Sequence, residues 1–184
     1  MLYIYSGSVP ELDHALLEDL GQAHTLTTIP FAPRELWSAQ EATDYFRQAG
    51  IRAKALTRRY YKDPARLERA IMVSDAVFLA GGNTYEFLAY ARQVGLFDIL
   101  RAFEAEGGLI AAESAGSIIL SPDIATAALP TSCPDPVTVA LDDLTAMGRI
   151  PFHISPHYNA LARTAGRDWQ ELQGLADASG SPVL

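Results

Sequence analysis

The chain has a single cysteine, Cys133. One thiol cannot build an internal disulfide framework, and such scarcity fits a reducing cytosol. Cys133 stands in Pro130-Thr131-Ser132-Cys133-Pro134, a proline-bounded loop rather than a nucleophile's turn. Basic residues are also few. The 14 Lys and Arg face 22 Asp and Glu, a net charge of −8. Nucleic-acid binding needs a basic face, so it is excluded. No apolar run reaches the ~20 residues that span a bilayer. The opening Met1-Leu2-Tyr3-Ile4-Tyr5 reads as a strand and lacks the charged start of a secretory leader. No membrane association is expected, and the cytoplasm is the expected compartment. Histidines number four, which keeps the list of possible bases short.

What is present suits one domain over residues 1–184, with 49% hydrophobic residues to supply a core. Strand-like and helix-like segments alternate, the pattern of a mostly parallel α/β sheet flanked by helices. Strands are expected over Leu2 to Tyr5, Thr25 to Ile29, Ile51 to Leu56 (more exposed), Asp75 to Ala80, Gly108 to Ala112 and Ile150 to Ser155. Ser181 to Leu184 begins another. Helices are expected over Pro10 to Leu20, Ser38 to Ala49, Pro64 to Val73, Tyr85 to Val94, Leu96 to Glu106 and Gly166 to Ala178. Pro122 to Arg149 is rich in proline and poor in pattern, which reads as an insertion or an active-site loop.

Three places at strand ends carry chemistry. Ala112-Glu113-Ser114-Ala115-Gly116 follows an apolar strand and precedes Ser117-Ile118-Ile119-Leu120. A serine in such a sharp turn is held out of the sheet, as in a nucleophile elbow, and small neighbours permit the tight turn. The same tripeptide also serves as a plain turn. Gly81-Gly82-Asn83-Thr84 ends a second strand and opens a helix, where N–H groups can receive an oxyanion. It, too, can be a turn and nothing more. Pro156-His157-Tyr158-Asn159 lies just past a third strand. A serine needs a base, and imidazole titrates near neutrality. His157 sits where loops carry function. His153 lies within the strand and reads as a packing residue, as do His14 in a helix and His24 near a strand start.

These motifs together resemble the peptidase E family, serine peptidases that include aspartyl dipeptidase and, more distantly, cyanophycinase. The resemblance runs from Met1 to about Tyr158. Its centre is Ala80-Gly81-Gly82-Asn83-Thr84 and Ser114-Ala115-Gly116, with Ile29-Pro30-Phe31-Ala32 and Pro156-His157-Tyr158 in support. It implies a class I glutamine-amidotransferase-like fold, no metal or other cofactor, a small peptide substrate and a homodimer. It implies Ser114 as nucleophile, His157 as base, and the N–H groups of Gly82 and Ala115 as oxyanion hole. Asn83, Thr84, Glu113 and Arg167 are the substrate contacts to expect.

The sequence departs from that family in three ways. Ala112 replaces a glycine, and the acid Glu113 sits beside the serine. The segment after His157 is shorter than the one ending in Gly-x-Thr-Arg that holds a substrate aspartate. Ala165-Gly166-Arg167 offers an arginine there, which either reaches substrate or faces water from a helix start. Finally, a glutamate that orients the histidine is expected after a strand like Pro182-Val183-Leu184, so the last strand and acid are expected to be missing. Asp135, Asp142 and Asp143 are the available substitutes, or ordinary loop residues. Two other functions stay open: hydrolysis of a non-peptide amide such as a peptidyl-nucleotide, and a catalytically weak relative that binds small molecules.

Overall fold

Apolar runs too short for a helix become strands buried on both faces. The computed structural model describes residues 1–6, 10–21, 24–30, 37–60, 62–158 and 165–184. In it Leu2–Tyr5 (β1), Thr25–Ile29 (β2), Arg52–Ala55 (β3), Ala76–Leu79 (β4) and Leu109–Glu113 (β5) form one parallel sheet in the order β1-β5-β4-β2-β3. The helices are Pro10–Leu20 (α1), Trp37–Gln48 (α2), Pro64–Met72 (α3), Thr84–Val94 (α4), Leu96–Ala105 (α5), Ala115–Ile118 (α6) and Ala165–Ser179 (α7). β3 lies at the edge, consistent with its more polar composition.

Successive strand residues point to opposite faces, and two cores result. Val77, Leu79, Ile110 and Ala112 join Leu67 and Ile71 of α3, Phe87 and Leu88 of α4, and Leu100 and Phe103 of α5. Phe78, Ala80, Leu109 and Ala111 meet Leu16 and Leu20 of α1 and Phe46 of α2. The Phe46 and Phe78 rings meet edge-on at 5.2 Å. Each such large side chain contributes about 1.5–3 kcal/mol by leaving water. Both cores share the one sheet, so the described residues form a single α/β domain.

Local chemistry sets the helix ends. The Asp63 carboxylate accepts from Arg66 N–H at 3.0 Å, and Pro64 takes the first position of α3, where no N–H is needed. Gly95, at φ 67°, lets the chain leave α4 and enter α5.

The Pro122–Arg149 stretch holds a 3-10 turn at Ala125–Ala128 and a bridge between Asp123 and Thr145, and is otherwise irregular. Arginines fasten it to the helices. Arg92 of α4 donates to the carbonyls of Asp143 and Thr145, both at 2.7 Å. Arg101 of α5 donates to Met147 O at 2.9 Å, and Arg149 pairs with Glu104 at 2.7 Å.

The strand expected over Ile150 to Ser155 is instead an isolated parallel bridge between His153 and Val183. His153 N–H donates to Pro182 O at 2.8 Å and Ser155 N–H to Leu184 O at 2.8 Å. Pro151 and Pro156 bracket this segment, and proline has no N–H to extend a ladder.

Strand register brings three loops together. Tyr5 is level with Glu113, and Leu79 with Ala112. The chain therefore leaves β1, β5 and β4 side by side at the carboxyl edge, where sheets of this kind hold ligands.

Candidate active site

Ser114 is the first residue beyond β5. Its N–H donates to Tyr5 O of β1 at 3.1 Å, and its carbonyl accepts from Ser117 and Ile118 at 2.9 and 3.0 Å, which starts α6. The reversal forces φ 51° and ψ −116° on a residue with a β-carbon. That costs ~1–3 kcal/mol and persists because the surroundings over-determine it. The buried Ser117 hydroxyl lies between the carbonyls of Tyr5 (2.9 Å) and Ala112 (2.8 Å). Gly116 passes so close to β4 that a β-carbon there would stand 2.3 Å from Leu79 O. One on Gly81 would stand 3.2 Å from the β-carbon of Ser114. The glycine turn after β4 therefore lies against the serine.

His157 comes from 43 residues further along the chain. Its Nε2 is 3.0 Å from Ser114 Oγ. It too has positive φ, 64°. Its N–H donates to Ser6 Oγ at 2.7 Å. The hydroxyl can donate to this nitrogen, the arrangement of a serine awaiting activation by a base.

The sequence matches peptidase family S51 over residues 3–176. The chain belongs to peptidase family S51. Membership implies hydrolase activity on peptides. The Drosophila melanogaster protein named "Probable alpha-aspartyl dipeptidase" is 30% identical, covering 94% of this chain and 72% of its own length. Among solved structures, a "Putative Peptidase E Protein" from Listeria monocytogenes EGD-e superposes with a TM-score of 0.74 at 23% identity, over 92% of this chain and 86% of its own. A peptidase from an acI-B1 actinobacterium gives a TM-score of 0.60 at 17% identity, over 88% and 70%. The two structures share the fold.

In this S51 chain, the Gly82 and Ala115 amides donate to no carbonyl among the described residues. Gly82 has φ 135°, and Ala115 is the first residue of α6. Asn83 and Thr84 are committed elsewhere. Asn83 Oδ1 caps α4 by accepting from Glu86 N–H at 3.0 Å, and its Nδ2 donates to Pro136 O at 2.8 Å. Thr84 is buried, and its N–H and hydroxyl donate to Asp135 Oδ2 at 2.9 and 2.6 Å. Residues 135–138 are thus stapled onto the turn beside Ser114. Burial, with the Asp135 charge adding to it, pushes the neighbouring Tyr85 phenol up. Glu113 closes β5, partly exposed.

None of the three candidate carboxylates meets His157. Asp135 is held by Thr84. Asp143 pairs with Arg92 at 3.0 Å, and the Thr145 hydroxyl and N–H, then Arg92, hold its carboxyl below the usual range. Asp142 is exposed. Among the described residues no carboxylate pairs with His157. His153 is buried, with Nε2 3.1 Å from Asp123 Oδ1. Arg167 opens α7 with 63% of its side chain exposed and its Nε 3.8 Å from Glu171, too far for a hydrogen bond. Arg163, another cation of that region, lies outside the described residues, as does Asn159.

Among the described residues, no group of three or more His, Cys, Asp or Glu could hold a metal, and no helix is long and apolar enough to cross a membrane. Nothing in the sequence around Ser6 or Ser117 marks either as part of the site. Both act through β1, and the pairing of β1 with β5 has no local signature.

Proposed function

We propose that this chain is a serine-type dipeptidase working through an acyl-enzyme on Ser114. The observation that carries the reading is the 3.0 Å contact between Ser114 Oγ and His157 Nε2, with the serine on a strained turn at a strand's end. In this reading Oγ attacks the peptide carbonyl while Nε2 takes its proton. The oxyanion is received by the N–H groups of Gly82 and Ala115. The imidazolium returns the proton to the leaving amine, and water then hydrolyses the ester by the same route. A reducing cytosol and a homodimer belong to the same proposal, on the single exposed thiol and the family resemblance.

Labelling by a fluorophosphonate, lost on Ser114→Ala, tests the nucleophile. The base is tested by a pair of variants. His157→Ala is expected to be nearly as damaging as loss of the nucleophile, lowering kcat on the order of 10⁶-fold. His153→Ala is expected to keep kcat within about tenfold while lowering Tm, because it hollows out a buried site. If His153→Ala were the more damaging to kcat at unchanged stability, the base is misassigned.

Substrates with an acidic first residue are proposed from the name of the Drosophila relative and from Arg167. At net charge −8 the chain repels an anionic substrate at long range, so a local cation must offset this. Arg167 is paired only loosely with Glu171, and a guanidinium fits a carboxylate in two-point fashion. Arg167→Ala is expected to reduce Asp-Leu turnover by about tenfold or more and to spare Ala-Leu and Leu-Leu. Equal parent rates on all three dipeptides would point to a broader peptidase.

A further inference from the structure

We propose that Ser6 is a positioning residue for His157, one that sets the base through its main chain. The proposal rests on the reading of Ser114 and His157 as nucleophile and base.

β1 ends at Tyr5, level with Glu113, so its terminus abuts the elbow. Tyr5 O accepts from Ser114 N–H at 3.1 Å and from Ser117 Oγ at 2.9 Å. The next residue, Ser6, accepts from His157 N–H at 2.7 Å. One dipeptide, Tyr5-Ser6, therefore supports both reacting groups. Their relative position is set through two covalently adjacent residues rather than across the protein.

His157 needs such a support. It holds φ 64°, a left-handed conformation that costs a residue with a β-carbon roughly 1–2 kcal/mol. The segment before it is anchored as far as Ser155, whose N–H bonds Leu184 O. Pro156 has no N–H to give. The His157 N–H is thus the next main-chain donor, and Ser6 takes it. In a Ser-His-Asp triad the ring is oriented by a carboxylate. The bond to Ser6 acts instead on the main chain of His157, and so fixes the point from which the ring reaches Ser114.

Ser6 is exposed, so removing its hydroxyl should not unfold the protein. Three variants are compared on one dipeptide: Ser6→Ala, Ser6→Thr and Ser114→Ala. Ser6→Ala is expected to lower kcat by about 10- to 100-fold, because a small misplacement of a reacting group has that effect. KM should stay within about threefold, since a group acting on the chemical step alone changes kcat alone. Tm should match the parent. Ser6→Thr keeps the acceptor oxygen and should recover most of kcat. A parental kcat in Ser6→Ala, beside an inactive Ser114→Ala, overturns this proposal and leaves the nucleophile standing. A loss that Ser6→Thr fails to recover, or that comes with a matching fall in Tm, overturns it as well. An active Ser114→Ala removes the serine reading, and the positioning role with it.

Discussion

Ser114→Ala is expected to abolish dipeptide hydrolysis while the protein melts within about 2 °C of the parent, as a near-isosteric change at a site outside the cores should. Alanine meets the demand for a small side chain at the elbow. It inherits the same positive φ, so the backbone strain is common to both proteins. The main-chain bonds that form the turn, Ser114 N–H to Tyr5 O and Ser117 N–H to Ser114 O, do not involve the hydroxyl. What alanine removes is the oxygen 3.0 Å from His157 Nε2. Loss of a nucleophile that acts together with its base lowers kcat by about 10⁶-fold in the serine-protease precedent. Steady-state turnover of Asp-Leu and Ala-Leu beside a thermal melt checks both halves. Activity retained within about tenfold would refute the covalent mechanism.

Gly116→Ala should act in the opposite sense, through stability. The added methyl would stand 2.3 Å from Leu79 O and 2.8 Å from Leu79 C and Cβ. These are main-chain atoms of a buried central strand, hydrogen-bonded on both sides, and they cannot swing aside. Either α6 lifts from the sheet or β4 shifts against β2 and β5. Overpacking of this severity costs on the order of 3–5 kcal/mol, beyond the usual range for an added methylene. For a chain of this size that is a fall of roughly 10 °C in Tm. Denaturant unfolding compared with the parent is the measurement. An unchanged midpoint would mean that the approach of Gly116 to Leu79 is looser than the structure has it.

The two variants probe parts of the site that differ in how plainly the sequence displays them. The elbow is local: an apolar run, Ser114 and two small residues, all within ten positions. The turn at Gly81-Gly82 is equally local. Most helices and strands fall within a residue or two of where periodicity places them, because each carries its own apolar face. Partnerships across the sheet are another matter. That β1 lies beside β5, and not beside β2, depends on crossovers that leave no mark in either strand, so Ser6 reads as a mere turn residue. The carboxylates illustrate the same limit. Asp135, Asp142 and Asp143 look alike as loop aspartates, and Arg92 and Thr84, some 50 residues distant, determine what two of them do. At Ile150 to Ser155 the apolar pattern suggests a full strand, and the flanking prolines cut it to a bridge.

The order of the strands has a consequence during synthesis. β1 leaves the ribosome first, but its partner β5 begins 107 positions later, at Leu109, and the bond from Ser6 to His157 closes a gap of 151 residues. Contacts so distant along a chain form slowly and late. At about 5–20 residues per second, the 43 residues that separate His157 from Ser114 take roughly 2–9 s to make. Throughout that time the Ser114–His157 pair does not exist. The topology thus acts as a timer, withholding the pair until nearly the whole domain is there to contain it.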